Sequence, residues 1–320
     1  MKDALARYGL ERNAAGELKF TAETAAKVDR TGFKAVYCDS LVSYLNIFDP
    51  AYCRALNKSE FELVSLLIRM RGMEGPGWDP FESTQATVRS VRRAIGLVDT
   101  FEAERTLQLW LYGHIVEASE PYEMLMNLTR IVDGKRYHSY CFPPRNGRRP
   151  QSPGAKIREI EQSAARVDLP NLALPLREIW DRDLRNALFH SDYSLRGYEI
   201  TMRNPLRVWS HEQVMGYINR ALAFFDALVA VDSIYRASFD KPRVIPVHPE
   251  FAKWPEEKAW VIVREDYGAI GLRDALDVVE LKEGKIPWSF GRFRKTELDE
   301  MMAQNHIVWF PKEAAEAAPR

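Results

Sequence analysis

The stretch "SHEQVMGYINRALAFFDALVAVDSIYRASF", residues 210–239, sets the class of fold. Ser210 stands three before Gln213, a capping box whose side chains satisfy backbone N–H groups orphaned at a helix start. Val214, Ile218, Ala221, Leu222, Phe225, Leu228 and Val229 recur at core-facing spacing and predict a helix from about 211 to 238. Its most apolar run, "ALAFFDALVAV", is 11 residues long and interrupted by Asp226, which reads as too short and too polar to span a bilayer.

Toward the amino terminus the pattern stays helical. "SEFELVSLLIRM" opens with Ser59 three before Glu62, a second capping box, and predicts a helix from about 60 to 71. "GMEGPGWDP" ends it, and apolar periodicity resumes in "TVRSVRRAIGLV", "AERTLQLWLYGHIV" and "PYEMLMNLTRIV". After a loop come "IREIEQSAARV" and "LPLREIWDRDLRNALFH", the latter read as one amphipathic helix with Leu176, Trp180, Leu184, Ala187 and Leu188 on its core side. "YSLRGYEITM" then predicts a small hairpin around Arg196 and Gly197.

Beyond residue 240 the texture changes. "KPRVIPVHPEFAKWP" has four prolines in fifteen residues and suggests a boundary; "AWVIV" and "HIVWF" read as strands, with a helix in "TELDEMMAQ". The expected architecture is mainly α: an N-terminal helical segment over 1–82, a helical bundle over 83–240 and a small α+β appendage over 241–320.

With 45 basic and 45 acidic residues, a globally basic nucleic-acid binder is excluded, so any contact with a polyanion must come from local clusters. The charged amino terminus lacks the apolar run of a secretory signal, and the odd set Cys38, Cys53 and Cys141 fits free thiols in a reducing cytoplasm. All three read as packing residues. No phosphate loop, dinucleotide fingerprint, nucleophile elbow or H-E-x-x-H pair occurs. His138 and Cys141 lack a second pair of ligands nearby, so neither a metal nor a cofactor is expected. His114 reads as a satisfied core histidine.

Chemistry concentrates in "RDLRNALFHSDYSL", residues 182–195. Arg182, Asn186 and His190 are four apart and share one helix face, where Arg supplies a permanent cation, Asn an orienting amide and His a proton carrier. Arg185 lies about 140° from His190 on an ideal wheel, so a shared ligand needs its long side chain, an irregular last turn or a second copy. The alternative is a solvated helix end, with His190 at the negative pole.

The order Arg185, Asn186, His190 in "LRNALFH" resembles the R-N-x-x-x-H signature of HEPN domains, the higher-eukaryote and prokaryote nucleotide-binding family. That resemblance, extended by helical context over about residues 85–240, implies a helical bundle and a metal-independent ribonuclease of the toxin or antiviral-effector kind. It implies His190 as acid or base, Arg185 bidentate to the scissile phosphate, and Asn186 holding a phosphate oxygen or the imidazole. It further implies a homodimer with a composite site, because one imidazole cannot readily be acid and base in one step, and it leaves room for an antitoxin or regulatory partner. A subgroup carries a tyrosine two residues after the histidine. Tyr193 stands one residue later, so that regulatory mode does not carry over, though Tyr193 and Arg182 remain candidate RNA contacts. The other reading is a catalytically silent HEPN-like module for nucleotide or RNA binding or for dimerisation.

A second candidate RNA contact is the loop preceding the motif. From Gly134 to Arg158 there are seven Lys or Arg and no acid, including Arg145, Arg148, Arg149 and Lys156, with Tyr137, Tyr140 and Phe142 interleaved for stacking on bases. A mobile loop kept soluble by charge is the alternative. In "GKIPWSFGRFRK", residues 284–295, Trp288 and Phe290 are expected to pack inward in a hairpin.

Overall fold

The structure, a computed structural model, describes residues 2–28, 31–69, 79–143, 151–197, 199–253, 256–276, 281–282, 286–304 and 307–308. Arg145, Arg148 and Arg149 lie outside the described residues.

Two 27-residue helices, α3 (Gly32–Lys58) and α11 (His211–Ala237), pack along one another and form the spine. Both halves of the capping box at α11 are present: Ser210 accepts from the Gln213 N–H, and the Gln213 side chain accepts from the Ser210 N–H. By length and composition α11 passes for a bilayer span, since the apolar run extends into its flanks. Yet 61% of its most apolar window is buried inside the protein.

Around this pair lie α4 (Glu60–Ile68), α5 (Pro80–Ile95), α6 (Phe101–Glu117), α7 (Ser119–Val132), α8 (Pro153–Arg166), α9 (Leu174–Ile179) and α10 (Arg182–His190). Ahead of them come α1 (Lys2–Arg7), a hairpin of β1 (Leu10–Arg12) and β2 (Leu18–Phe20), and α2 (Ala22–Lys27). A three-stranded antiparallel meander, β3 (Tyr193–Arg196), β4 (Glu199–Met202) and β5 (Arg207–Trp209), separates α10 from α11. It extends the expected hairpin by one strand.

The C-terminal region is a five-stranded sheet of β6 (Arg243–Pro246), β7 (Lys258–Arg264), β8 (Gly268–Asp274), β9 (Trp288–Gly291) and β10 (Ile307–Val308), ordered β10-β9-β8-β7-β6, with α12 (Lys295–Ala303) before β10. All pairs are antiparallel except β9 with β10. Trp288 and Phe290 do pack inward, but from this strand rather than from a hairpin. The protein is thus mainly helical with a C-terminal sheet.

The sheet meets the helices through a buried ionic network. Arg69, in the left-handed conformation that ends α4, pairs with Asp79 and Asp232; Arg236 pairs with Asp232, and Arg292 with Asp79 and Glu82. Each of these charges forgoes hydration, so the set is stable only as a whole. Where β8 begins, Gly268 has φ +89° and a Cβ there would lie 2.1 Å from the Arg236 carbonyl, so only glycine allows the sheet this close to α11.

Three local expectations change. α4 stops at Ile68 because Arg69 turns left-handed and its side chain enters the network. Ser59 caps α4, but Glu62 does not reciprocate: it turns to accept the Tyr137 N–H at 2.6 Å. Cys53 is exposed rather than packed, while all three cysteines are free.

Candidate functional site

The segment read as one helix is two. Trp180 and Asp181 are extended between α9 and α10, and the Asp181 carboxylate accepts the N–H groups of Asp183 and Leu184, both at 3.0 Å. The same carboxylate binds Arg207 at 2.7 Å, the Tyr217 hydroxyl at 3.2 Å and the Trp209 indole at 3.4 Å. Helical spacing continues across the break, but a cap satisfied by five donors outweighs the backbone bonds that an unbroken helix would add. α10 therefore starts afresh at Arg182, anchored by the meander and α11.

At its other end α10 stops on Ser191, left-handed at φ 53°, whose N–H reaches the carbonyls of Ala187 and Leu188. His190 is the last helical residue. Its ring is exposed and makes no hydrogen bond or ion pair with another described residue.

Arg185 is held on three sides. Its Nε donates to Glu117 Oε1 at 2.5 Å, Nη1 donates to Asn186 Oδ1 at 3.0 Å, and the guanidinium lies 5.0 Å from the Phe189 ring centroid. The ion pair is 25% and 29% exposed at its two side chains, so it fixes geometry more than it adds stability. Asn186 thereby presents its amide group away from Arg185. Arg182, exposed, sits eight residues before His190, about 12 Å along the axis, too far to share one phosphate with it. Tyr193 opens β3 opposite Met202 and leans, half-buried, on the core, leaving one edge to solvent.

Glu117 is the residue sequence reasoning missed, 68 positions before its partner. The one local signal is its place in the last turn of α6, where a carboxylate faces the negative pole and is disfavoured without a cation. The same side of α6 carries Trp110, Gly113 and His114. A Cβ on Gly113 would lie 3.2 Å from the Phe189 ring, so this glycine lets α6 and α10 approach. His114 is not the satisfied core histidine expected. Its Nε2 is buried without a hydrogen-bond partner among the described residues, and its ring stacks on Trp110 with centroids 5.1 Å apart. Burial pushes its pKa down, which keeps it neutral. Trp110 and Phe189 are each 51% exposed, so an aromatic rim borders the motif.

The basic loop is largely stitched down where it is described. Glu62 accepts the Tyr137 N–H, Asn127 the His138 N–H and Glu123 the Cys141 N–H. Lys135 pairs with Asp133, and the Arg136 guanidinium covers Phe251. Phe142 is buried and Tyr137 half-buried, which removes Phe142 as a base platform and leaves Tyr140 exposed. Lys156 is no surface cation either. It is 9% exposed beneath the rings of Tyr122 and Phe142, and burial pushes its pKa down against the pull of Glu123, Glu117 and Glu120.

Among the described residues no group of three or more His, Cys, Asp or Glu is arranged to hold a metal ion. Comparison with protein-family models, curated proteins and solved structures finds no match to this chain.

Proposed function

We propose that the chain is a metal-independent endoribonuclease of HEPN type, cytoplasmic, acting as a homodimer and serving as a toxin or antiviral effector. The observation that carries this reading is the open imidazole of His190 on the same short helix as Arg185 and Asn186, whose side chains a Glu117 ion pair holds in register. A histidine serving only the core would be enclosed; this one faces solvent beside an exposed aromatic rim suited to unstacked bases.

In the proposed reaction one imidazole takes the ribose 2′-hydroxyl proton as O2′ attacks phosphorus. The P–O5′ bond breaks, and the imidazolium of a second copy protonates the departing 5′-oxygen. A 2′,3′-cyclic phosphate and a 5′-hydroxyl remain. Arg185 and the Asn186 amide stabilise the equatorial oxygens of the phosphorane.

One observation favours the silent-module reading as well: Glu117 already neutralises Arg185, which leaves less charge for a phosphate. The two separate in a single assay. Incubated with single-stranded RNA and chelator, the wild-type chain is expected to give cyclic-phosphate ends and His190→Ala none. Cleavage that persists in His190→Ala refutes the assignment. RNA binding with no cleavage by the wild type leaves only the silent module.

A further inference from the structure

Between α3, α9 and α11 the surface opens into a cavity of 520 Å³, within the range of about 300–1,000 Å³ usual for small-molecule sites. Ser40, Ser43 and Tyr44 line it from α3, successive positions on one helix face. Tyr217 and Arg220 line it from α11, and Glu178 closes it at the end of α9.

Arg220 is the unusual member. It is half-buried, yet its guanidinium makes no hydrogen bond or ion pair with a described residue, and its one ring contact is Tyr217 at 5.9 Å. Arg69, Arg185 and Arg236, by contrast, each hold a carboxylate. The cavity carboxylate of Glu178 is engaged by the Tyr44 hydroxyl at 2.5 Å instead. A guanidinium fork left unneutralised beside two serine hydroxyls is a preformed seat for a tetrahedral anion. Glu178, and Asp39 on the rim, would repel a bare dianion but accept hydrogen bonds from hydroxyl groups. The occupant must therefore join an anionic end to a donor-rich body, with the Tyr217 ring as its apolar wall.

The geometry points to a binding site for a phosphorylated polyol, a sugar phosphate or nucleoside monophosphate, with its phosphate on Arg220, Ser40 and Ser43 and its hydroxyls on Glu178 and Asp39. This stands without the nuclease reading. It bears on the motif through contacts already described: Glu178 lies in the last turn of α9, just before the break, and Tyr217 donates to Asp181 at the break itself, so an occupant is one contact from the cap that starts α10.

The test is calorimetric titration of the full chain with ribose 5-phosphate and with adenosine monophosphate, ribose and inorganic phosphate serving as half-ligands. At least one phosphorylated polyol is expected to bind saturably, about tenfold or more tighter than either half-ligand. Arg220→Gln is expected to weaken it by about tenfold and Glu178→Gln by less, with unchanged far-UV circular dichroism. No saturable binding at millimolar concentration overturns the proposal, as does equal affinity in Arg220→Gln or inorganic phosphate binding as tightly as the esters. His190→Ala should bind the ester like wild type, so this proposal and the nuclease reading fail separately.

Discussion

Asp181 is the point at which the site depends most on one side chain, and replacing it by Ala or Asn yields two distinct outcomes. The carboxylate is 6% exposed and serves two backbone N–H groups, Arg207, Tyr217 and Trp209. Loss of the cap in Asp181→Ala costs about 1 kcal/mol. The indole and phenol donors are left without their acceptor, and at 3.4 and 3.2 Å those bonds are long, so each costs near the low end, about 1 kcal/mol. Arg207 is 40% exposed and keeps Asp183, so its loss adds only a few tenths of a kcal/mol. The expected cost is about 3 kcal/mol, or about 6 °C in Tm for a chain of this size. Asp181→Asn keeps Oδ1 as the cap but sets an amide NH2 where Oδ2 accepts from Arg207, Trp209 and Tyr217, so it spares only the capping loss and costs about 2 kcal/mol. Differential scanning fluorimetry at neutral pH reads both. Equal shifts in the two variants, or less than about 2 °C in Asp181→Ala, would show that α10 is held by something other than this cap.

Glu117→Gln keeps an acceptor for Arg185 but removes the competing charge. It should tighten single-stranded RNA binding by about threefold at low salt, measured by fluorescence anisotropy, and scarcely change stability; weaker binding would contradict the competition. Asp79→Asn removes one of the two carboxylates held by each of Arg69 and Arg292, leaving Asp232 and Glu82, and should cost about 3 kcal/mol in urea denaturation. Its wild-type carboxyl is held down to about 2 despite burial, by Arg69 and Arg292. That lowering contributes about 2 kcal/mol, present above the ordinary value near 4 and lost as pH falls toward 2, so the variant's stability should vary less with pH over that interval. Glu at Arg145, Arg148 and Arg149 should weaken RNA affinity and reduce its salt slope by about 0.7 for each lost phosphate contact; unchanged slopes dismiss the loop. If two copies build the site, specific activity should fall on dilution below the dimer dissociation constant, and constant activity in a species that sediments as a monomer rules out the composite site.

What sequence could and could not reveal follows from how far each determinant reaches. The helix at 211–237 was legible because its cap and core stripe lie within the element, and both halves of the Ser210 and Gln213 box are present. The Ser59 box was legible by half, since Glu62 is drawn away by a backbone group 75 residues on. Nothing local announced the break at Asp181, where Leu176, Trp180 and Leu184 keep helical spacing straight through. Its cause lies in Arg207, Trp209 and Tyr217, brought back by the meander and α11. Likewise the seven cations of the loop looked like one field, but Lys156 belongs inside, under two aromatic rings, where a one-dimensional charge count cannot place it.

The charge around α10 bears on how the motif would meet a polyanion. Arg185 is neutralised by Glu117, and Arg207 by Asp181 and Asp183. Arg182 is the other arginine on the helix, and Asp192 follows just beyond its end. One copy therefore offers no net positive field at the place where a phosphate would bind, and long-range attraction is weak. For RNA to reach His190, positive charge must come from elsewhere. In the proposed dimer a second copy brings its own Arg182 and imidazole, and charge reversal at Arg145, Arg148 and Arg149 tests whether the preceding loop supplies more. Displacing Glu117 from Arg185 then becomes the local step, made favourable once a phosphate dianion or diester competes for the same guanidinium fork. On the proposed reading, such a site is quiet when alone and gains its cationic character only on assembly, and the dilution assay above tests that dependence.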